Sequence, residues 1–69
     1  MQLSDKIERL RKIKGWSQEE LANQIGVSRQ AVFKWESGIN KPDLDKIKKL
    51  VVLFNVTYDY LLDDSIDFN

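Results

Sequence analysis

A chain of 69 residues with 42% hydrophobic content can build one small core, so residues 1–69 read as a single domain. It holds no cysteine and no histidine, which removes disulfides, thiolate nucleophiles, imidazole bases and the usual zinc ligands together. The zero net charge is polarised, with all 11 basic residues and a net +4 in 1–49 against −4 in 50–69, and this basic front is compatible with a nucleic-acid partner.

In chain order the signals are helical. Ser4 and Asp5 are expected to cap a first helix whose apolar residues Leu3, Ile7, Leu10 and Ile13 recur at helical spacing, and Gly15 is expected to end it. Ser17 followed by Glu20 is a capping box, which predicts a second helix from about Gln18 to Gln24 with Leu21, Ala22 and Ile25 inward. Gly26 then supplies a residue able to turn left-handed without steric cost. Ser28 caps a third helix through about Glu36, with Val32 and Trp35 inward and Arg29, Gln30, Phe33 and Lys34 on other faces. After a polar loop from Ile39 to Pro42, Asp43 caps a fourth helix carrying Leu44, Ile47, Leu50, Val51 and Phe54, and Asn55 closes it. Thr57 caps a short fifth helix with Tyr58, Leu61 and Leu62, and the acidic stretch 63–69 reads as a frayed tail. The run Val51 to Phe54 could be mistaken for a strand, but a lone strand has no partner and the register continues the helix. The fold class is therefore all-α.

The longest unbroken apolar stretch, Leu50 to Phe54, is far short of a membrane span, and Met1 to Ser4 is no signal peptide. A soluble, cytoplasmic protein with no membrane partner is expected. Asp63, Asp64 and Asp67 lack the glycine and spaced ligands of a calcium loop, so neither a metal nor a cofactor site is expected. An enzyme fails on inventory, since there is no glycine-rich phosphate loop and no inward pair of carboxylates.

The functional signal lies in about 18–37, where QEELANQ, IGVS and RQAVFKWE form two short amphipathic helices around a tight turn. Such a motif lets the second helix protrude into a major groove. Arg29 and Lys34 can donate to guanine and Gln30 can pair in bidentate fashion with adenine. The amides at the two helix starts, by Gln18 and Ser28, favour phosphate.

The string SQEELANQIGVSRQAVFKWESG, followed by KPDLDKIKKLVVLFNVTYDYLL, resembles the Cro and phage-repressor type of helix-turn-helix domain over about residues 4–62. The match rests on Gln18, Leu21, Ala22, Gly26, Ser28, Val32, Trp35, Glu36, Gly38, Pro42, Leu61 and Leu62 together. The resemblance implies a compact five-helix bundle of the lambda-repressor-like type, acting as a bacterial or phage transcriptional regulator and as a repressor. It also implies that Gln18 holds a phosphate, that Arg29, Gln30 and Lys34 face base edges, and that Asn40 and Lys41 grip the backbone. Arg11 matches the first-helix arginine that pairs with the glutamate ending the recognition helix, here Glu36. The sequence departs from the family at Phe33, where a small or polar residue is usual.

Trp35 could stack on bases, but its spacing from Val32 marks it as core, and Trp16 reads as a lid on that core. Phe33 either touches a thymine methyl or a sugar, or covers its helix neighbours. Lys46, Lys48 and Lys49 read as an exposed polar face rather than as phosphate contacts. Between Val56 and Phe68 the chain carries Val56, Tyr58, Tyr60, Ile66 and Phe68, more apolar surface than a five-helix bundle can bury. That region is the expected contact of a homodimer on an inverted-repeat operator. The alternative reading is a protein-interaction module, such as an antitoxin or anti-regulator subunit.

Overall fold

The computed structural model describes residues 1–67, which fold into five helices: α1 (Leu3–Ile13), α2 (Gln18–Ile25), α3 (Arg29–Glu36), α4 (Leu44–Phe54) and α5 (Tyr58–Leu62). Local chemistry fixes most of the boundaries. Ser17, Ser28, Asp43 and Thr57 all sit in extended conformation, and each side chain accepts from the backbone N–H three residues on. At Ser17 the reciprocal bond is also made, from Ser17 N to Glu20 Oε1 at 2.9 Å. Gly26 closes α2 at φ 83°, and Asn55 closes α4 in the same left-handed region at φ 54°.

The start of α1 differs from expectation. The helix begins at Leu3 with Gln2 as its extended cap, so Ser4 and Asp5 already lie inside the first turn. Asp5 still contributes, because its carboxylate reaches back to accept from Gln2 N at 3.3 Å, the position a capping acid holds from within a helix.

Ile7, Leu10, Leu21, Ala22, Ile25, Val32, Trp35, Ile47, Leu50, Phe54 and Leu61 form one continuous core to which all five helices contribute. In it α3 packs against α2 and α1, α4 against α2, and α5 against α1 and α4. Trp16 packs on the edge of this core with its ring 6.2 Å from that of Phe54. Four residues of the expected apolar stripes, Ile13, Leu44, Tyr58 and Leu62, are exposed instead. Leu44 begins α4 and Ile13 ends α1, where no neighbouring helix reaches over them.

Lys6 lies on the buried face of α1, at a position where an isolated lysine reads as surface in the sequence. It is fully buried, and its Nζ donates to the carbonyl oxygens of Tyr60 and Asp63 at 2.5 and 2.7 Å. The ammonium also lies 5.1 Å from the centre of the Tyr60 ring. A cation held on the terminal carbonyls of α5 complements that helix end, which no basic residue of α5 itself could do.

The tail expected to fray is tied down through residue 67. The Met1 ammonium donates to the Asp64 carbonyl at 2.9 Å and pairs with the Asp67 carboxylate, and Asp63 Oδ1 accepts from both N and Oγ of Ser65. Phe68, part of the expected dimer contact, lies outside the described residues.

Candidate nucleic-acid interface

The turn between α2 and α3 is closed by backbone bonds from the N–H groups of Gly26 and Val27 to the carbonyl of Ala22, at 2.8 and 3.0 Å. Val32 and Trp35 anchor α3 to the core and leave the opposite side to Arg29, Gln30, Phe33 and Lys34, all exposed. Ser28 accepts from Ala31 N through its Oγ at 3.1 Å, which leaves its hydroxyl proton for an outside acceptor.

Beyond α3 the chain folds back over the helix end. Lys34 O accepts from Ile39 N at 3.0 Å and from Asn40 N at 3.3 Å, and Gly38 turns at φ 75° to allow it. This places Asn40 and Lys41 beside the helix. Ser28, Gln30, Lys34, Asn40, Lys41 and Lys46 line one open cavity of about 480 Å³. Asp43 also lines it, but its carboxylate is engaged in capping α4 by accepting from Lys46 N at 3.0 Å. The cavity therefore gathers lysine side chains with hydroxyl and carboxamide groups, a polar lining open to base edges and phosphate oxygens alike, while the Lys46 ammonium is paired with Asp45 Oδ2 at 3.4 Å.

Lys46 of α4, expected on an exposed polar face, also lines this cavity. The three lysines of α4 read as one polar face, but helical period sets Lys46 about 200° from Lys48, so the two lie on opposite sides of the helix. Lys46 lines the cavity, while Lys48 and Lys49 both border a different depression beside Val52, and Lys49 Nζ reaches the Ile25 carbonyl at the end of α2 at 3.5 Å. The placement of α4 against α2 then decides which neighbours each meets.

Arg29, Phe33 and Gln18 stand apart from the cavity. Arg29 Nε lies 3.8 Å from Glu19 Oε2 across the gap between α2 and α3, with both side chains well exposed. Phe33 is half exposed beside them on α3.

Gln18 belongs to a buried polar network. Arg11 donates from Nε to Glu36 Oε2 at 2.7 Å and from Nη2 to Glu36 Oε1 at 3.0 Å, a bidentate pair, while its Nη1 holds the Trp16 carbonyl at 2.8 Å. The same Glu36 Oε1 accepts from Gln18 Nε2 at 3.1 Å. One carboxylate thus links α1, α2 and α3. The Glu36 side chain is only 3% exposed and that of Arg11 10%, and the hydrogen bond to Glu36, reinforced by its charge against the opposing effect of burial, holds the Arg11 guanidinium above its usual range. With one amide hydrogen committed to Glu36, the second N–H of Gln18 and its carbonyl remain for a ligand at the start of α2.

The C-terminal surface is narrower than expected. Val56 and Tyr60 are partly buried and packed on their own core, because α5 folds back over α1 and α4. Burial also raises the Tyr60 hydroxyl above its ordinary pKa. Tyr58, Leu62 and Ile66 are the exposed apolar residues that remain there.

Similar arrangements occur in known proteins. The transcriptional activator BcrR of Enterococcus faecalis is 44% identical over 62 residues, covering 90% of this chain and 30% of that protein. The transcriptional repressor RstR of the cryptic phage CTXphi, from Vibrio cholerae, is 37% identical over 62 residues, covering 90% of this chain and 56% of that protein. The chain therefore spans between about a third and just over half the length of these two relatives. Among solved structures, the P22 c2 repressor in complex with a synthetic operator superposes with a TM-score of 0.85 at 27% identity, covering 91% of this chain and 96% of that one. The helix-turn-helix family model matches residues 7–61, most of the five-helix core, and the chain belongs to that family.

Proposed function

We propose that this chain is the DNA-binding part of a bacterial or phage transcriptional regulator that recognises a specific double-stranded sequence with α3 in the major groove. The observation that carries the reading is the grouping of Ser28, Gln30, Lys34, Asn40 and Lys41 around one open cavity while Val32 and Trp35 lock α3 to the core from behind. Arg29, Gln30 and Lys34 read base edges, with Phe33 beside them offering its ring to a thymine methyl or a sugar. Gln18, Ser28, Asn40 and Lys41 hold phosphates and set the register. The similarity to a repressor solved on its operator supports this docking, and repression follows where the occupied site excludes the transcription machinery. Such a protein works where the chromosome is, in the cytoplasm on the nucleoid.

One recognition helix reads too few base pairs to select a genomic site, so a homodimer on an inverted repeat completes the proposal. Tyr58, Leu62 and Ile66 supply its exposed apolar contact, with Val56 and Tyr60 supporting it from below. Half-sites then lie about 34 Å apart, one helical turn of the duplex.

The test is selection of a duplex from a random-sequence pool, followed by alanine replacement of Arg29, Gln30 and Lys34. Each is expected to cost about 1–3 kcal/mol on the selected duplex and less on unrelated DNA. Equal losses on both would remove α3 as the reading element. Sedimentation of the complex separates the dimer from the rest, because a 1:1 complex with a footprint under one helical turn refutes pairing alone.

A further inference from the structure

The first turn of α2 carries two glutamates with different duties. Glu20 completes the capping box by accepting from Ser17 N, so the cap does not need Glu19. The Glu19 carboxylate instead faces Arg29, the first residue of α3, with Oε2 at 3.8 Å from Nε and exposures of 64% and 59%. An exposed pair at this distance adds little to folding. A carboxylate beside a surface that meets phosphates also opposes binding to DNA of any sequence. Its consequence therefore falls on Arg29.

We propose that Glu19 is a positioning residue that sets the sequence discrimination of Arg29. The closest approach is at Nε, 3.8 Å from Glu19 Oε2, an ion pair without a hydrogen bond, so the terminal nitrogens stay available as the fork that meets guanine O6 and N7. While Glu19 holds Arg29, the arginine is drawn away from neighbouring phosphates, the contacts it would otherwise make on any duplex. On the correct site the bidentate contact to guanine is made. On other sites Arg29 gains no base contact and the Glu19 charge still repels the backbone. This rests on the reading that Arg29 faces the bases.

The experiment compares the duplex that the wild-type protein enriches from a random pool with an unrelated duplex of equal length. Glu19→Gln is expected to tighten binding to both duplexes, because one negative charge beside the backbone is removed, and to tighten the unrelated one about three-fold more, the scale of one exposed ion pair, because only there does the released Arg29 gain phosphate contacts. The slope of log affinity against log salt on the unrelated duplex should steepen by about one unit, as the released arginine neutralises one more phosphate. A repeated selection with the variant should show relaxed preference at the base pair that Arg29 reads. In an Arg29→Ala background, Glu19→Gln should leave base preference unchanged. Equal tightening on both duplexes, or relaxation that persists without Arg29, overturns the role of Glu19 and leaves Arg29 as a base contact. Wild-type base preference in Arg29→Ala alone overturns both.

Discussion

Replacing Glu36 with alanine is expected to unfold the domain partway before it affects recognition. The substitution leaves Arg11 with a nearly buried guanidinium whose Nε and Nη2 have lost their acceptor, and only the Trp16 carbonyl still holds Nη1. Breaking a buried pair from one side costs about 3–5 kcal/mol, and the lower end applies here because Arg11 keeps one bond and some solvent access. Single domains have about 0.05–0.15 kcal/mol of stability per residue, which for this length is roughly 3–10 kcal/mol. A loss of about 3 kcal/mol thus consumes between a third and all of it, and lowers the melting temperature by roughly 12–24 °C. Glu36→Gln, which keeps one oxygen acceptor but no charge, should cost about half as much. Replacing both partners with apolar residues, as in Arg11→Met with Glu36→Leu, should recover most of the loss, because no charge is then stranded. Urea titration followed by the fluorescence of Trp16 and Trp35 measures all three proteins. A Glu36→Ala protein that melts with the wild type and loses only DNA affinity would refute the structural reading.

Lys41→Ala is expected to weaken all DNA sequences alike and to lower the magnitude of the log–log salt slope by about one, measured by anisotropy over a range of salt. Lys6→Met keeps the buried stem but removes two charge-assisted bonds, so it should cost about 2–4 kcal/mol, with amide exchange in Tyr58–Leu62 accelerating before that of the other helices. Gly26→Ala meets no steric clash, yet its φ of 83° should still cost about 1–2 kcal/mol of melting stability. The Asp63 carboxyl is lowered by its bonds from Ser65, and that of Asp67 by the Met1 ammonium. Both therefore favour the folded tail above the ordinary carboxylate value of 3.8, and the contribution should disappear as pH falls through their lower folded values. Chemical shifts of Ser65 and Asp67 followed by NMR report this, and tail shifts unchanged through that range would contradict it.

What the sequence by itself determined is local. The side-chain caps at Ser17, Ser28, Asp43 and Thr57 act within one turn, so residue type and spacing suffice to place four helix starts. The inward stripe of α3, with Val32 and Trp35, follows from helical period alone, and with it the outward set Arg29, Gln30, Phe33 and Lys34. Tertiary structure decided whatever depends on a neighbour from elsewhere in the chain. The burial of Lys6 requires the end of α5, more than fifty residues away, to bring two carbonyls over α1. The contact of Lys49 with the Ile25 carbonyl requires the seat of α4 on α2, and the loss of Val56 and Tyr60 from the open surface requires α5 to fold back. The pairing of Glu19 with Arg29, rather than a second cap beside Glu20, appears only once the turn at Gly26 brings two helix starts together. Periodicity says which side of a helix faces inward, but only packing says which charge meets which, because side-chain partners are chosen by distance in space and not along the chain.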